Sequence, residues 1–332
     1  MGCLSRRELI SLLSAAAAAP KVALAAPPGR IPRIGVLMGG AEHDLDWQRL
    51  EQAVEQELKR LGWVRSRDLR IDYRWPGDDA ERIQAYATDL VETGPELIVA
   101  ASTPAVQAVR RRTDTLPVVF VNAVDPVGNG LVASLAKPGG KTTGFAAPEY
   151  SIAEKWTGLV RELAPRTARI GIVFNPDTAV SARHFLRVLE APAPPRGAKP
   201  VSIPFRNDGE VEKAIEEFAK TPNGALVVIP DSSTAVSRRS IIDTANKFKL
   251  PAVYPFRFFA YDNGLISYGA DIVALCMSAM GYVDKILRGA DAGGLPVVSA
   301  DKFELIVNQR TAKALNMTVP PAVLARAAEI IE

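Results

Sequence analysis

Cysteine and histidine are scarce: the 332 residues contain two of each, and that scarcity removes several kinds of chemistry. Cys3 stands ahead of the first apolar run, where a lipid-bearing cysteine cannot lie, and Cys276 is then left without a disulfide partner. His184 falls in an amphipathic helix pattern, and His43 precedes a helix near a strand end, where it is a candidate ligand contact. Around it, Glu42, Asp44 and Asp46 have no recognised metal spacing and read as solvated acids at a helix start. Charge of one sign is missing too. The formal net charge is +3, and setting aside Arg6, Arg7, Lys21 and Glu8 of the first 26 residues leaves 37 basic against 36 acidic residues. No nucleic-acid partner follows from that balance. The chain has no G-x-S-x-G, no Walker sequence and no G-x-G-x-x-G after its first strand; Gly128-Asn129-Gly130 lacks the third glycine. With no nucleophile and base in view, no enzyme and no cofactor are expected. Beyond the first 26 residues no segment is apolar enough to span a bilayer.

What is present begins with an address. Ser5-Arg6-Arg7-Glu8 precedes the stretch LLSAAAAAP and a small-residue site at Ala23-Leu24-Ala25, the layout of an export signal cleaved near Ala25. The paired arginines fit a twin-arginine signal, although Sec signals also carry them. The mature protein is expected in the periplasm.

From residue 30 onward strand and helix patterns alternate. Strands are predicted at 33–38, 69–73, 97–100 and 118–121, with helices over 47–61, 80–91 and 104–112 between them. After Gly144 the order restarts: helices at 152–163, 179–190 and 209–220 alternate with strands at 170–174, 201–205 and 225–229. The Pro-rich piece 191–200 reads as a surface connection. The fold class is therefore α/β, with two Rossmann-like, doubly wound lobes.

In such sheets ligands collect at the carboxyl ends of the strands. Those ends here are small or polar: Gly39-Gly40, Ser102-Thr103-Pro104, Asn122 to Asp125, Asn175-Pro176-Asp177 and Asp231-Ser232-Ser233. Ser102 and Thr103 open a helix with Pro104 in its first turn, which suits a carboxylate or only caps that helix. Asp125 and Asp231 are candidates to neutralise an ammonium, while Asp125 also suits a plain turn and Asp231 a helix cap. Within Tyr254-Pro255-Phe256-Arg257-Phe258-Phe259, Tyr254 and Arg257 are the pocket candidates and the two phenylalanines are assigned to packing. The segment 116–145 reads as strand, polar turn, short helix and Gly-rich crossing. Hinge positions are expected at Gly144, Phe145, Tyr268 and Gly269.

The strings DPVGNGLVASLAKPGGKTTGF at 125–145, NGLISYGAD at 263–271 and YVDKILRGADAGGLPVVSADKFELIVNQRTAKAL at 282–315 resemble the bacterial ABC-transporter substrate-binding protein family related to tryptophan/tyrosine-binding proteins. The likeness runs from about Ile34 to the C-terminus. It implies a type I periplasmic binding protein: two lobes joined by three crossings, the third near 300–303, which close on a small-molecule solute and deliver it to a membrane permease. The lobes expected are 31–144 with 270–300 and 145–269 with 301–332, in a monomer. A carboxylate-bearing solute, an aromatic or branched amino acid or an aromatic acid, is the expected ligand, with a sensor kinase as the alternative partner. The chain departs from the family pattern at Lys141, where Asn is usual, at Glu42-His43-Asp44, where small residues and proline are more typical, and at Ala328, where Asp is common.

Overall fold

Short runs without a polar face, such as Ile34–Leu37, Leu97–Ala100 and Ala225–Val228, are buried along their whole length. A parallel strand covered by helices on both sides has no wet face, so these runs become the inner strands of two sheets. The computed structural model describes residues 30–148, 150–179, 182–190 and 198–332. The export signal and most of the Pro-rich connection lie outside the described residues.

The first lobe is built from β1 (Arg33–Leu37), α1 (Leu45–Arg60), β2 (Arg70–Arg74), α2 (Ala80–Glu92), β3 (Leu97–Ala101), α3 (Thr103–Arg110), β4 (Val118–Ala123) and β5 (Thr142–Ala146). The second follows with α4 (Ile152–Leu163), β6 (Arg169–Phe174), α5 (Ala182–Glu190), β7 (Lys199–Pro204), α6 (Asp208–Ala219) and β8 (Gly224–Val228). It continues through α7 (Ser232–Val236), α8 (Arg238–Lys247), β9 (Ala252–Tyr254), α9 (Arg257–Tyr261) and β10 (Ile266–Ala270). The chain then returns as α10 (Ile272–Leu287) and β11 (Val298–Ser299), and ends with β12 (Phe303–Asn308), α11 (Gln309–Ala314), α12 (Pro321–Leu324) and β13 (Glu329–Ile331).

The sheets run β2-β1-β3-β4-β5-β11 and β7-β6-β8-β9-β10-β12-β13. Neighbours are parallel except β10 and β12. The first five strands of each lobe thus take the same order, 2-1-3-4-5, and each sheet reverses direction beside its first strand. Core clusters cover both faces of each sheet. Helix α10 belongs with the first, where Leu275, Met280 and Val283 pack with Val54, Leu58 and Val119.

Three crossings join the lobes. They lie between β5 and α4, at Asp271, and from Ala300 to Lys302, and hydrogen bonds tie them together: Ala300 N donates to Ala146 O at 3.1 Å and Asp271 N to Lys302 O at 3.4 Å. The first crossing falls after the Gly-rich end of 116–145, later than the hinge expected at Gly144 and Phe145. Thr142 to Phe145 pair in parallel with Val118 to Val121, so Gly144 and Phe145 are strand residues. A Cβ on Gly144 would lie 2.1 Å from Phe120 O, and one on Gly269, in β10, 1.8 Å from Pro255 O. Both glycines therefore permit close backbone approach inside a sheet, and Tyr268 beside Gly269 stacks on Phe303. The short helix expected after Asp125 does not form. There the Asn129 amide donates to Val124 O and Asp125 O, and such local side-chain bonds compete with a helix. Lys141 pairs with Asp291 at the amino end of β5, opposite the end that faces the site.

Candidate functional site

Ligands in open α/β sheets lie where the strand order reverses. In this chain those points are the carboxyl ends of β1 and β3 in one lobe and of β6 and β8 in the other, and the four ends meet across one cleft. Gly39, Ser102, Thr103, Asn122 and Val124 line it from the first lobe; Thr178, Asp231, Ser232, Phe256 and Phe258 line it from the second. Its empty space, open mouth included, is about 700 Å³.

On the first-lobe side the backbone is held in unusual conformations. Ser102 has φ 99°, Asn122 φ 58° and Asp125 φ 43°, all in the region that disfavours a side chain. Ser102 precedes α3 without making a side-chain cap, and its own amide donates to Val121 O at 3.0 Å. The hydroxyl of Thr103 accepts from Val124 N at 2.9 Å and so fixes the end of β4, with its O–H left to donate. What faces the cleft is the uncapped first turn of α3, with the positive end of the helix dipole and the Ser102 hydroxyl at hand. A register shift between Val121 and Ala123 turns Asn122 into the same space.

The second lobe presents an acid. The Asp231 carboxylate caps α7 by accepting from Ser233 N at 3.1 Å, and it accepts from Thr178 Oγ1 at 2.8 Å. The Ser233 hydroxyl lies 2.9 Å from Thr178 Oγ1 and accepts from Asn175 Nδ2 at the same distance, so Asn175, Ser233 and Thr178 form a buried network that orients the carboxyl. Burial pushes the Asp231 pKa up to about 6, against the lowering effect of the Thr178 hydroxyl and the amides of α7. The capping and ligand-facing readings of Asp231 are thus compatible in one side chain.

Between these poles stands an aromatic wall. Trp47 of α1 and Phe258 of α9 come from different lobes, with ring centroids 6.4 Å apart, and Phe256 sits 5.2 Å from Phe258. The tandem glycines after β1 make room for the indole: a Cβ on Gly40 would lie 2.1 Å from Trp47 Nε1. Gly39 lines the cleft, and Gly40 lies behind the tryptophan. Cys276 also reaches the cleft. Burial pushes its pKa up to about 12, so it is a protonated, inert thiol.

Several expected residues lie elsewhere. Asp125 turns its carboxylate back onto Gly128 N at 2.9 Å, closing its own turn away from the cleft lining, and its charge acts with burial to push the Tyr150 pKa up to about 12. Tyr254 is fully buried and stacks on Phe259 at 5.0 Å. Arg257 is held by Glu304 at 3.2 Å and Glu329 at 3.3 Å, and it lines a neighbouring chamber behind Phe256 and Phe258. His43 is exposed on the loop before α1. In the other direction, Trp47, Asn122, Thr178 and Phe258 reach the cleft although the sequence patterns did not single them out as contacts. Trp47 obeys helical spacing and reads as core, and Phe258 both packs and faces the cleft.

Two lobes of identical winding, three crossings and a polar, aromatic-walled cleft define a solute-binding protein of the type I class. Residues 41–331 match the family model for ABC transporter substrate binding proteins, and the chain belongs to that family. A tyrosine-binding protein of Clostridioides difficile is 29% identical over 272 residues, 81% of this chain and 77% of that protein. A conserved domain protein of Vibrio cholerae superposes with a TM-score of 0.82 at 28% identity, over 91% of this chain and 100% of that one. The ABC domain of Streptococcus pneumonia in complex with L-Trp gives 0.81 at 23% identity, with the same coverage of the two chains. The family binds small-molecule solutes and works with a permease.

Proposed function

We propose that the solute is an aromatic or branched amino acid, held by its carboxylate at the first turn of α3 and by its ammonium at Asp231. One observation carries this reading: an uncapped helix N-terminus from one lobe and an oriented carboxylate from the other flank a single aromatic wall. Each charged end of the solute then meets a partner of opposite sign in a drying cleft, and the side chain lies against Trp47 and Phe258. Ser232 and Asn122 complete the polar lining. The relatives described as tyrosine-binding and as bound to L-Trp support this solute class. The N-terminal export signal supports a periplasmic location, with a monomer that delivers its load to a permease in the inner membrane.

Thermal unfolding of the purified protein with a panel of aromatic and branched amino acids, aromatic acids and sugars tests the reading. A solute at a hundredfold excess over its dissociation constant stabilises by about 2.7 kcal/mol, and that shift is expected from the amino acids. A shift from sugars alone would overturn the solute class while leaving the binding role in place.

A further inference from the structure

Arg238 begins α8 in the second lobe, yet most of its bonds go to the first. Its guanidinium forms a two-pronged pair with the Asp44 carboxylate, with Nη2 at 3.2 Å from Oδ1, and Nη2 also lies 3.3 Å from Asp46 Oδ2. On its own lobe, Nε donates to Asp262 Oδ2 at 2.6 Å. Only 8% of the side chain is exposed, so these are not the loose ion pairs of a protein surface.

The same cation has a second contact. Its guanidinium carbon sits 5.1 Å from the centroid of Phe258, the ring that faces Trp47 across the cleft. Asp44 is the N-cap of α1, the helix that carries Trp47. One buried charge therefore touches both halves of the aromatic wall, through Phe258 directly and through the cap of α1. Three carboxylates surround one cation, so separating the lobes returns two acids and Arg238 to water, and closing them rebuilds the pair.

We propose that Arg238 is a positioning residue for solute binding: its pair with Asp44 and Asp46 latches the lobes shut and sets Phe258 against Trp47 in the same step. The proposal rests on the cleft reading above for the place of the solute, but its first readout needs no solute.

Labels introduced through Arg112→Cys and Glu217→Cys, one exposed position on each lobe, report the spread of inter-lobe distances in the ligand-free protein. Arg238→Gln and Asp44→Asn are each expected to shift that spread toward longer distances. In titrations with an amino acid from the thermal panel, each is expected to weaken binding by about tenfold or more, mainly through faster release, since breaking a buried charge pair acts on dissociation. The double variant should be barely weaker than Arg238→Gln alone, because that change already removes the contact with Asp44. Additive losses, or an unchanged distance spread in both single variants, would overturn the latch. If no solute of the panel binds, the solute class fails and the distance measurement still decides the latch. Asp44→Asn keeps a side chain that caps α1 and guards against a failure of Arg238→Gln to fold.

Discussion

Ser102 holds φ 99° and ψ 154°, a region that glycine alone visits freely and that costs of order 1–3 kcal/mol for other residues. Ser102→Gly should therefore raise the stability of the ligand-free protein by about 1–2 kcal/mol in urea unfolding while weakening solute binding, because the strained residue places its hydroxyl at the mouth of α3. Greater stability with unchanged affinity would remove the hydroxyl from the site. Asp231 makes a prediction in pH. Its carboxyl is raised to about 6 by burial, so its proton is taken up in mild acid, and the ammonium of a solute loses its partner there. Affinity for an amino acid should be level above pH 7 and fall about tenfold per unit below about pH 6, as expected when only the ionised form binds. Asp231→Asn should bind weakly with no such slope, as calorimetry across pH 5 to 8 would read. At this scale two polar residues of the cleft lining, Ser102 and Asp231, were legible, since they stand where strand patterns stop. Arg238 was not, because its first-lobe partner Asp44 is 194 positions away and no local pattern marks a buried cation.

Strands and helices followed the buried runs closely, and the misplaced features lie where glycine and short polar residues cluster. Pro138, Gly139, Gly140 and Gly144 look alike as flexible links, yet the first three lead into β5 and Gly144 lies within it. Gly144→Ala distinguishes the two roles. A methyl placed 2.1 Å from Phe120 O must push β4 and β5 apart, so the variant should lose roughly 3 kcal/mol of stability, large for a single substitution. A variant as stable as the parent, altered only in closing, would restore the hinge role. The aromatic run 254–259 shows a related limit. Tyr254 ends β9 and turns into the core, whereas Phe258 is the second residue of α9 and faces the cleft, and composition alone does not separate neighbours of the same chemistry.

For the whole molecule, the repeated β-α order was enough to read two doubly wound lobes, because each parallel strand needs a covering helix before the next. The shared winding then places both reversal points on one cleft, and the site assembles only when the lobes face each other. Neither lobe lines the cleft alone: the helix terminus and Trp47 belong to one, Asp231 and Phe258 to the other. A solute in the proposed pose needs both charged ends. Calorimetric titration of the best-binding amino acid beside its analogues without the amine and without the carboxylate tests this directly. Each analogue is predicted to bind at least about a hundredfold more weakly than the parent, the cost of about 2.7 kcal/mol expected when a buried charged group is left unpaired. Equal binding of parent and analogues would contradict the assignment of the two poles.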